Sequence, residues 1–218
     1  MVRGVGCKLF IRHPEVNSLN DYVAVSEIPI INAGNGWREK GAEHPTQALL
    51  DLYTIKKELG FLEDRKILLI GDMNARVIRS FVKACGQFSG IKLYLLSPEQ
   101  HWISPQDEEE YRNRKIYYQR IHTLDDILEE VDVIYQNSVS EKRTDTVPEN
   151  IRLTQNKLQK IKDEAIVLHS FPRSGEMAND VDNLPQAKYF IQARNAVPVR
   201  MALLTWIFGH EIDQAKFE

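Results

Sequence analysis

Short apolar segments rich in β-forming residues alternate along this chain with segments of helical periodicity. The apolar segments lie at residues 7–11, 28–31, 66–71, 91–96, 115–119, 131–136, 164–170 and 188–192. The helical patterns lie at residues 45–59, 74–88, 123–130, 150–162 and 197–209. Apolar runs of this length are typical of buried parallel strands, and their alternation with helices predicts an α/β fold with a doubly wound parallel sheet. Such sheets bind ligands beyond the carboxyl ends of their strands.

The charge balance argues against polyanionic partners. With a formal net charge of −3 and a sequence pI near 6.1, the chain has no overall positive field to attract a nucleic acid or an acidic membrane. Its charge-dense runs, 106–115 and 125–130, predict solvated faces. The two cysteines, Cys7 and Cys85, form no C-x-x-C pair and lie near no histidines at metal-ligand spacing. Together with apolar runs too short to span a bilayer and no secretory leader, this predicts a cytoplasmic protein.

The segment EHPTQALLDLYTIKKELG, residues 43–60, predicts a helix with an unusual first turn. Pro45 suits the first helical position and Gly60 suits the end of the helix. His44 and Gln47, three residues apart, fall on one side of the first turn, where free backbone N–H groups favour a polarised carbonyl. The alternative is that His44 only caps the helix and that Gln47 is solvated.

Six segments, taken in order and spacing, carry a family resemblance. They are FIRHPE (10–15), INAGNG (31–36), EHPTQALLDLYTI (43–55), IGDMNARVIRS (70–80), LHSFPRSGEMANDVD (168–182) and QARNAVPVRMALL (192–204). With them the chain resembles the aspartate/ornithine carbamoyltransferase family, above all its aspartate-using members. The His-Pro-Thr-Gln motif at residues 44–47 is the most specific of these matches.

This resemblance implies a transferase that moves a carbamoyl group from carbamoyl phosphate to the amine of an amino acid, without a metal or organic cofactor. It assigns Arg12 to the phosphate and carbonyl side of carbamoyl phosphate, His44 to the carbonyl oxygen and Gln47 to the carbamoyl amide. The assignment makes chemical sense, because attack on the carbonyl builds negative charge on its oxygen. One well-placed donor to such an oxygen is worth about 3 to 4 kcal/mol.

The resemblance also implies a second-substrate site. It assigns Arg76 to a carboxylate of aspartate, with a surface or interdomain salt bridge as the alternative. It assigns Arg173 to the closed domain arrangement and the second-substrate loop, with a purely structural role as the alternative. The same HSFPR segment contributes Ser170 and Phe171 to this predicted site.

Two departures from the family pattern affect this second site. Ser138 and Ser140 stand where aspartate-using relatives have Arg-x-Gln, and a serine hydroxyl cannot replace a guanidinium that grips a carboxylate at two points. Ser170 stands where those relatives have a second proline. The segment NGWREKG, residues 35–41, predicts a solvent-exposed loop, and the alternative is that Arg38 or Lys40 supplies a substitute cation.

The resemblance further implies a domain division and a dependence on other segments. Residues 1–44 are expected to be a remnant of a truncated carbamoyl-phosphate domain, 45–195 the amino-acid-binding α/β domain, and 196–218 a helix that returns toward the first domain. Family members carry a Ser-Thr-Arg-Thr-Arg phosphate loop that this chain is expected to lack. The sequence therefore predicts that the chain is weak or inactive alone, and that it forms a homo-oligomer, a trimer by resemblance, or binds a partner chain that supplies the loop.

Two other functions remain open from the sequence. A non-catalytic homologue that acts as a binding or regulatory subunit would fit the serines at positions 138 and 140. A nucleotide-binding α/β domain is disfavoured, because GDMNAR at residues 71–76 has one glycine and no G-x-G-x-x-G loop.

Overall fold

A computed structural model describes residues 9–139 and 147–209 of the chain. The strands in these ranges are β1 (Leu9–His13), β2 (Ile30–Asn35), β3 (Lys66–Ile70), β4 (Lys92–Leu96), β5 (Tyr118–Arg120), β6 (Val133–Gln136) and β7 (Ile166–His169). The α-helices are α1 (Ser18–Val25), α2 (Pro45–Leu59), α3 (Arg76–Cys85), α4 (Pro105–Asn113) and α5 (Tyr189–Ile207). No helix in the described ranges is both long and apolar enough to cross a membrane.

The main sheet has five parallel strands in the order β5-β4-β3-β6-β7. Within this sheet the chain enters at the central strand β3 and moves outward through β4 to β5. It then returns to β6, on the other side of β3, and ends at the edge strand β7. This reversal confirms the predicted doubly wound α/β sheet. It also places a topological switch between β3 and β6, the position at which such sheets bind ligands.

Both faces of the main sheet are buried, as the unbroken apolar strands predict. In β3, Ile67 and Leu69 point into one core with the apolar residues of α2 and α3. Leu68 and Ile70 point into a second core, which is covered by residues 121–131 and 151–161. All four side chains have 0% exposure. The sheet is therefore a rigid base for the loops at its carboxyl edge.

A smaller parallel sheet precedes the main one. It contains β1 and β2, with Phe10 opposite Ile31 and Ile11 opposite Asn32. The chain passes from β2 into α2, and α2 then packs against α3 and α5. The predicted fold class, an α/β fold with a doubly wound parallel sheet, is confirmed.

Several local predictions were wrong. Residues 188–192, predicted as a strand, lie at the start of α5, where Tyr189 and Gln192 face the interior. The predicted helices 123–130 and 150–162 contain only short 3₁₀ turns, at Leu124–Asp126 and Lys157–Lys160. The first of these turns is closed by a capping box between Thr123 and Asp126, which holds a single turn without a longer helix.

Helices α1 and α4 lie in segments for which the sequence predicted none. Helix α4 occupies the charge-dense run 106–115, and its start has a Ser104 cap and Pro105 in the first turn. The sequence predicted that this run is solvated, but only one side of the helix is exposed, because Asp107 and Tyr111 are buried. Tyr111 packs into the core, and Asp107 binds Arg79 of α3.

The family-derived domain division stays a prediction. Its first boundary, at residues 44 and 45, coincides with the start of α2. Its second boundary, at residues 195 and 196, falls inside α5, which runs as one helix from Tyr189 to Ile207.

Candidate active site

One cavity of about 320 Å³ opens at the carboxyl edge of the main sheet, beside the start of α2. Its basic wall residues come from well-separated parts of the chain: Arg12, Arg38, His44, Arg76 and Arg200. Its uncharged polar wall residues are Gln47, Asn137, Ser138, Ser170 and Ser174. Among the wall residues Asp72 is the acidic one. A cavity with this excess of positive charge suits an anionic ligand.

His44 is positioned by the first turn of α2. Its backbone N–H donates to Ser80 Oγ at 2.7 Å, and its carbonyl accepts from the N–H groups of Gln47 and Ala48 at 3.0 and 3.2 Å. His44 occupies the N-cap position of α2, but its side chain makes no capping hydrogen bond and lines the cavity instead. Thr46 Oγ1 lies 3.5 Å from His44 Nδ1.

The electrostatic surroundings keep the His44 imidazole neutral. Burial lowers the pKa of His44 to about 4, and repulsion from Arg76, Arg12 and Arg200 adds to the shift. A neutral imidazole at pH 7 has one N–H donor and one acceptor nitrogen. His44 can therefore donate a hydrogen bond from its N–H group to a carbonyl oxygen. As a neutral imidazole it has no extra, acidic proton to transfer.

Gln47 is held by a buried carboxylate one turn further along α2. Its Nε2 donates to Asp51 Oδ1 at 2.8 Å, and Asp51 also accepts from Tyr135 and Gln192. Burial raises the pKa of Asp51 to about 6, although the hydrogen bonds from Gln192, Tyr135 and Gln47 oppose the rise. The alternative of a solvated Gln47 is wrong, because the side chain lines the cavity and has a fixed partner.

Arg76 is the first residue of α3 and is 7% exposed. Its Nη1 donates to the carbonyl of Gly36 at 2.6 Å, and its guanidinium lies over the ring of Trp37 at 5.6 Å. In residues 9–139 and 147–209, no carboxylate oxygen lies within 4.0 Å of it, so the salt-bridge alternative finds no partner there. Burial lowers the pKa of Arg76, as does Arg12, but a guanidinium stays charged at neutral pH.

Gly34 allows the Arg76 guanidinium to approach the backbone closely. A Cβ on Gly34 would lie 3.2 Å from Arg76 Cζ, and the residue has a φ of +119°. Only glycine adopts this backbone conformation readily. The INAGNG segment therefore shapes the groove in which Arg76 lies.

The ends of β3, β6 and β7 are tied together below the cavity. Gly71 has a φ of +124°, and a Cβ there would lie 2.1 Å from the carbonyl oxygen of Asn137. Asn137 Nδ2 donates to the carbonyl of Asp72 at 3.1 Å, and its Oδ1 accepts from Ser170 Oγ at 3.1 Å. This network brings Ser138 and Ser170 into the cavity wall, while Ser140 lies outside the described residues.

The loop between β2 and α2 is held by a buried ion pair. Arg79 is 1% exposed and binds Asp107 through two contacts of 2.8 and 2.7 Å. The same guanidinium donates to the carbonyls of Arg38, Glu39 and Ala42 at 3.0 to 3.2 Å. Five donors of one buried arginine thus fix the shape of this loop.

The predicted exposed loop at residues 35–41 is exposed over most of its length, but Asn35 and Gly36 are buried and Arg38 turns inward. Arg38 is half-buried in the cavity wall, and its Nε lies 2.5 Å from Asp72 Oδ2. Lys40, the other predicted substitute cation, is exposed and does not line the cavity. The structure thus separates two cations that the sequence could not distinguish.

Arg173 is the predicted site residue that the structure places elsewhere. Its guanidinium pairs with Asp182 at 2.6 and 3.1 Å and lies 5.3 Å from the centre of the Tyr189 ring. It does not line the cavity, whereas its neighbour Phe171 does. The predicted role of Arg173 in closing the site stays a prediction.

Arg200 and Trp37 are wall residues that the sequence prediction did not assign. Arg200 lies on α5, inside the segment 192–204 that carries the family resemblance. The predicted helix at residues 197–209 already included Arg200, but no local pattern showed that this side chain lines the same cavity as His44.

Comparison with known proteins gives a consistent result along the chain. The family model described as the aspartate/ornithine carbamoyltransferase Asp/Orn binding domain matches residues 63–207, and the model of the carbamoyl-P binding domain matches residues 1–57. The aspartate carbamoyltransferase catalytic subunit of Methanobrevibacter smithii is 36% identical over 94% of this chain and 65% of its own length. That of Sulfurisphaera tokodaii is 36% identical over 96% and 70%.

Solved structures give the same answer for the fold. The chain is similar to aspartate transcarbamoylase from Trypanosoma cruzi in complex with carbamoyl phosphate, with a TM-score of 0.80 and 32% identity. That match covers 90% of this chain and 65% of the other. The chain therefore spans about two thirds of the length of the relatives that it matches.

Proposed function

Since the chain belongs to the aspartate/ornithine carbamoyltransferase family, we propose that it transfers the carbamoyl group of carbamoyl phosphate to the amine of aspartate. The observation that carries this proposal is the neutral His44 beside Arg12 and Arg76 in one cavity. Guanidinium groups suit the phosphate, and a neutral imidazole N–H suits the carbonyl oxygen of the carbamoyl group.

The proposed chemistry uses few groups of the protein. The amine nitrogen attacks the carbonyl carbon, the carbonyl oxygen becomes anionic, and His44 and Arg12 stabilise that oxygen by hydrogen bonding. The bond from carbon to the phosphate oxygen then breaks, and the departing phosphate takes a proton from the amine. No covalent intermediate with the protein is needed. Losing one donor to the anionic oxygen should cost about 3 to 4 kcal/mol of transition-state stabilisation.

The cavity also supports aspartate as the acceptor. Aspartate has two carboxylates, and Arg76 is the proposed partner of one of them. The serine at position 138 leaves the other without the guanidinium of aspartate-using relatives, but Arg38 lines the same cavity. We therefore assign Arg38 as the substitute cation, with Ser138 and Ser170 as uncharged hydrogen-bonding neighbours.

The wider setting follows from the same family membership. Carbamoylation of aspartate is a step of pyrimidine biosynthesis, and we place the chain in that pathway and in the cytoplasm. We also propose a homo-oligomer, a trimer by family resemblance, or a partner chain as the source of further phosphate-binding residues. Carbamoyl phosphate and aspartate are the proposed small-molecule partners.

The direct test is an assay of product formation. The purified chain is mixed with carbamoyl phosphate and either aspartate or ornithine, with and without an added phosphate-loop fragment of a relative. We expect carbamoylaspartate and phosphate, a loss of product in His44→Ala, and no change in His122→Ala, which alters an exposed histidine outside the cavity. If no mixture formed product, the proposal of catalysis would be wrong, and the alternative of a binding or regulatory subunit would take its place.

A further inference from the structure

Asp51 is a fully buried carboxylate that contacts the proposed carbamoyl site without lining the cavity. Its side chain has 0% exposure. Oδ1 accepts from Gln47 Nε2 at 2.8 Å and from Gln192 Nε2 at 2.7 Å, and Oδ2 accepts from the Tyr135 hydroxyl at 2.7 Å. One carboxylate thus joins α2, β6 and α5.

The direction of these hydrogen bonds is fixed by a backbone group. The N–H of His169 donates to Gln192 Oε1 at 2.9 Å, and a backbone N–H can only donate. Gln192 must therefore turn its nitrogen to Asp51, which makes Asp51 Oδ1 an acceptor. The second amide on that oxygen, Gln47, must then also present its nitrogen. The orientation of the Gln47 amide follows from this chain of donors and acceptors.

This orientation has a chemical consequence for the cavity. One N–H of the Gln47 amide is taken by Asp51, so the carbonyl oxygen on the other branch of the amide is the acceptor that Gln47 offers the cavity, and this oxygen cannot donate a hydrogen bond. A carbamoyl group carries an NH₂ that can donate to it. An acetyl group has a methyl group at the same place, and it would leave the Gln47 oxygen unpaired on binding.

We infer that Asp51 is a positioning residue that makes the site select a carbamoyl group over an acyl group without N–H, by holding the Gln47 oxygen toward the cavity. This inference rests on the proposed function, because it concerns the same site. It adds a residue outside the cavity wall, and it states which ligand chemistry that residue selects.

A matched pair of residues distinguishes this role from simple bracing of the two helices. Asn195 Nδ2 donates to Thr54 Oγ1 at 3.0 Å, and this buried bond also joins α5 to α2. Neither residue lines the cavity, and no hydrogen bond joins the described side chains of this pair to Gln47. Thr54→Val therefore removes a helix-bracing bond and leaves the amide orientation unchanged.

The test compares two stable ligands that differ only by NH₂ and CH₃. Phosphonoacetamide carries the amide, and 2-oxopropylphosphonate carries the methyl ketone. Titration calorimetry on the whole chain gives the ratio of their dissociation constants, which is insensitive to the folded fraction. An unpaired acceptor should weaken binding of the ketone by on the order of tenfold to a hundredfold in the wild type.

The variants then give separate expectations. Asp51→Asn keeps an acceptor oxygen for both glutamines, so the ratio should stay within about twofold, as it should in Thr54→Val. Asp51→Leu removes the acceptor, and the ratio should fall toward one. An unchanged ratio in folded Asp51→Leu would overturn this inference and leave the proposed function standing. A ratio near one in the wild type, with both ligands bound, would do the same.

A second measurement needs no variant. When phosphonoacetamide binds to the wild type, the NMR signal of the Gln47 side-chain carbonyl carbon should shift, while the Nε2 protons keep their hydrogen-bonded shifts. The reverse pattern would overturn the assigned orientation, even if Asp51→Leu failed to fold. Binding of neither ligand to the wild type would overturn the proposed carbamoyl-phosphate site and, with it, the selection proposed for Asp51.

Discussion

The two ends of the cavity are built in different ways. The end proposed for carbamoyl phosphate centres on His44 and Gln47, which lie in one helical turn and have buried partners in Ser80 and Asp51. The end proposed for aspartate is assembled from separate loops that follow β2, β3, β6 and β7. The first end depends on local helix geometry, and the second depends on tertiary contacts that bring distant loops together.

The two ends differ in whether a lost side chain can be replaced by one from another segment of the chain. At the helical end, the spacing of three residues fixes which side chains face the ligand. At the loop end, the charge lost at Ser138 can be supplied from another segment, and Arg38 does lie in the same wall.

The ion pair under the loop end should give the largest effect. Arg79→Met leaves Asp107 buried without its cation and removes the donors to the carbonyls of Arg38, Glu39 and Ala42. We expect the free energy of unfolding in urea to fall by about 3 to 5 kcal/mol. Arg114→Met, which breaks a solvent-exposed pair, should change it by no more than about 0.5 kcal/mol. Equal losses would contradict the proposed bracing of the loop.

The helical end should show a pH signature. Because burial raises the pKa of Asp51 to about 6, above its value in the unfolded chain, its contribution to stability is present at acid pH and is lost as pH rises through 6. Asp51→Asn removes this dependence. The difference in unfolding free energy between wild type and variant should therefore shrink by about 2 to 3 kcal/mol from pH 4 to pH 7.

Urea unfolding of both proteins across that range measures this difference, and the other titrating groups, including His44, cancel between the two curves. Parallel curves would mean that the buried carboxylate does not titrate as described.

The groove beneath Arg76 can be tested with two glycines. Gly34→Ala should cost about 1 to 3 kcal/mol of stability, because it combines a φ of +119° with a contact of 3.2 Å to Arg76. Gly60→Ala has a φ of +85° and no atom within 4 Å, so it should cost about 1 kcal/mol through the backbone alone. Only Gly34→Ala should also weaken the binding of succinate, an inert dicarboxylate, and a loss of binding in both variants would contradict this account.

The substitute cation should show the smallest effect. Arg38→Met should weaken the binding of succinate about tenfold, since a charged hydrogen bond contributes about 1.5 kcal/mol. Lys40→Met makes the same change of charge on the same loop outside the cavity and should leave the dissociation constant unchanged. Calorimetric titration measures both. Equal weakening would mean that the general charge, and not the placement of Arg38, governs binding.

The sequence predicted the helical end better than the loop end, for a physical reason. Pro45, Gly60 and the apolar periodicity identify α2 without any tertiary information, and the positions of His44 and Gln47 follow from the helix. The strands β3, β4, β6 and β7 were likewise identifiable, because buried parallel strands are unbroken apolar runs.

The remaining errors come from tertiary structure that overrides local pattern. Residues 188–192 look like a strand, but Tyr189 and Gln192 are the buried face of a helix. No local pattern could show that Arg38 enters the cavity, because its partner Asp72 lies 34 residues further along the chain. The pairing of Arg173 with Asp182 spans nine residues, but it depends on the path of an irregular loop. The pairing of Arg79 with Asp107, in a run that looked solvated, is of the same kind.

The hydrogen bond from His44 to the carbamoyl oxygen can be read from the carbonyl stretch of bound phosphonoacetamide, labelled with ¹³C and measured by isotope-edited infrared spectroscopy. If His44 donates to the carbonyl oxygen, the stretch should move to lower frequency on binding to the wild type and to His122→Ala. In His44→Ala it should return most of the way to its value in water. A bound ligand whose stretch is the same with and without His44 would contradict the account.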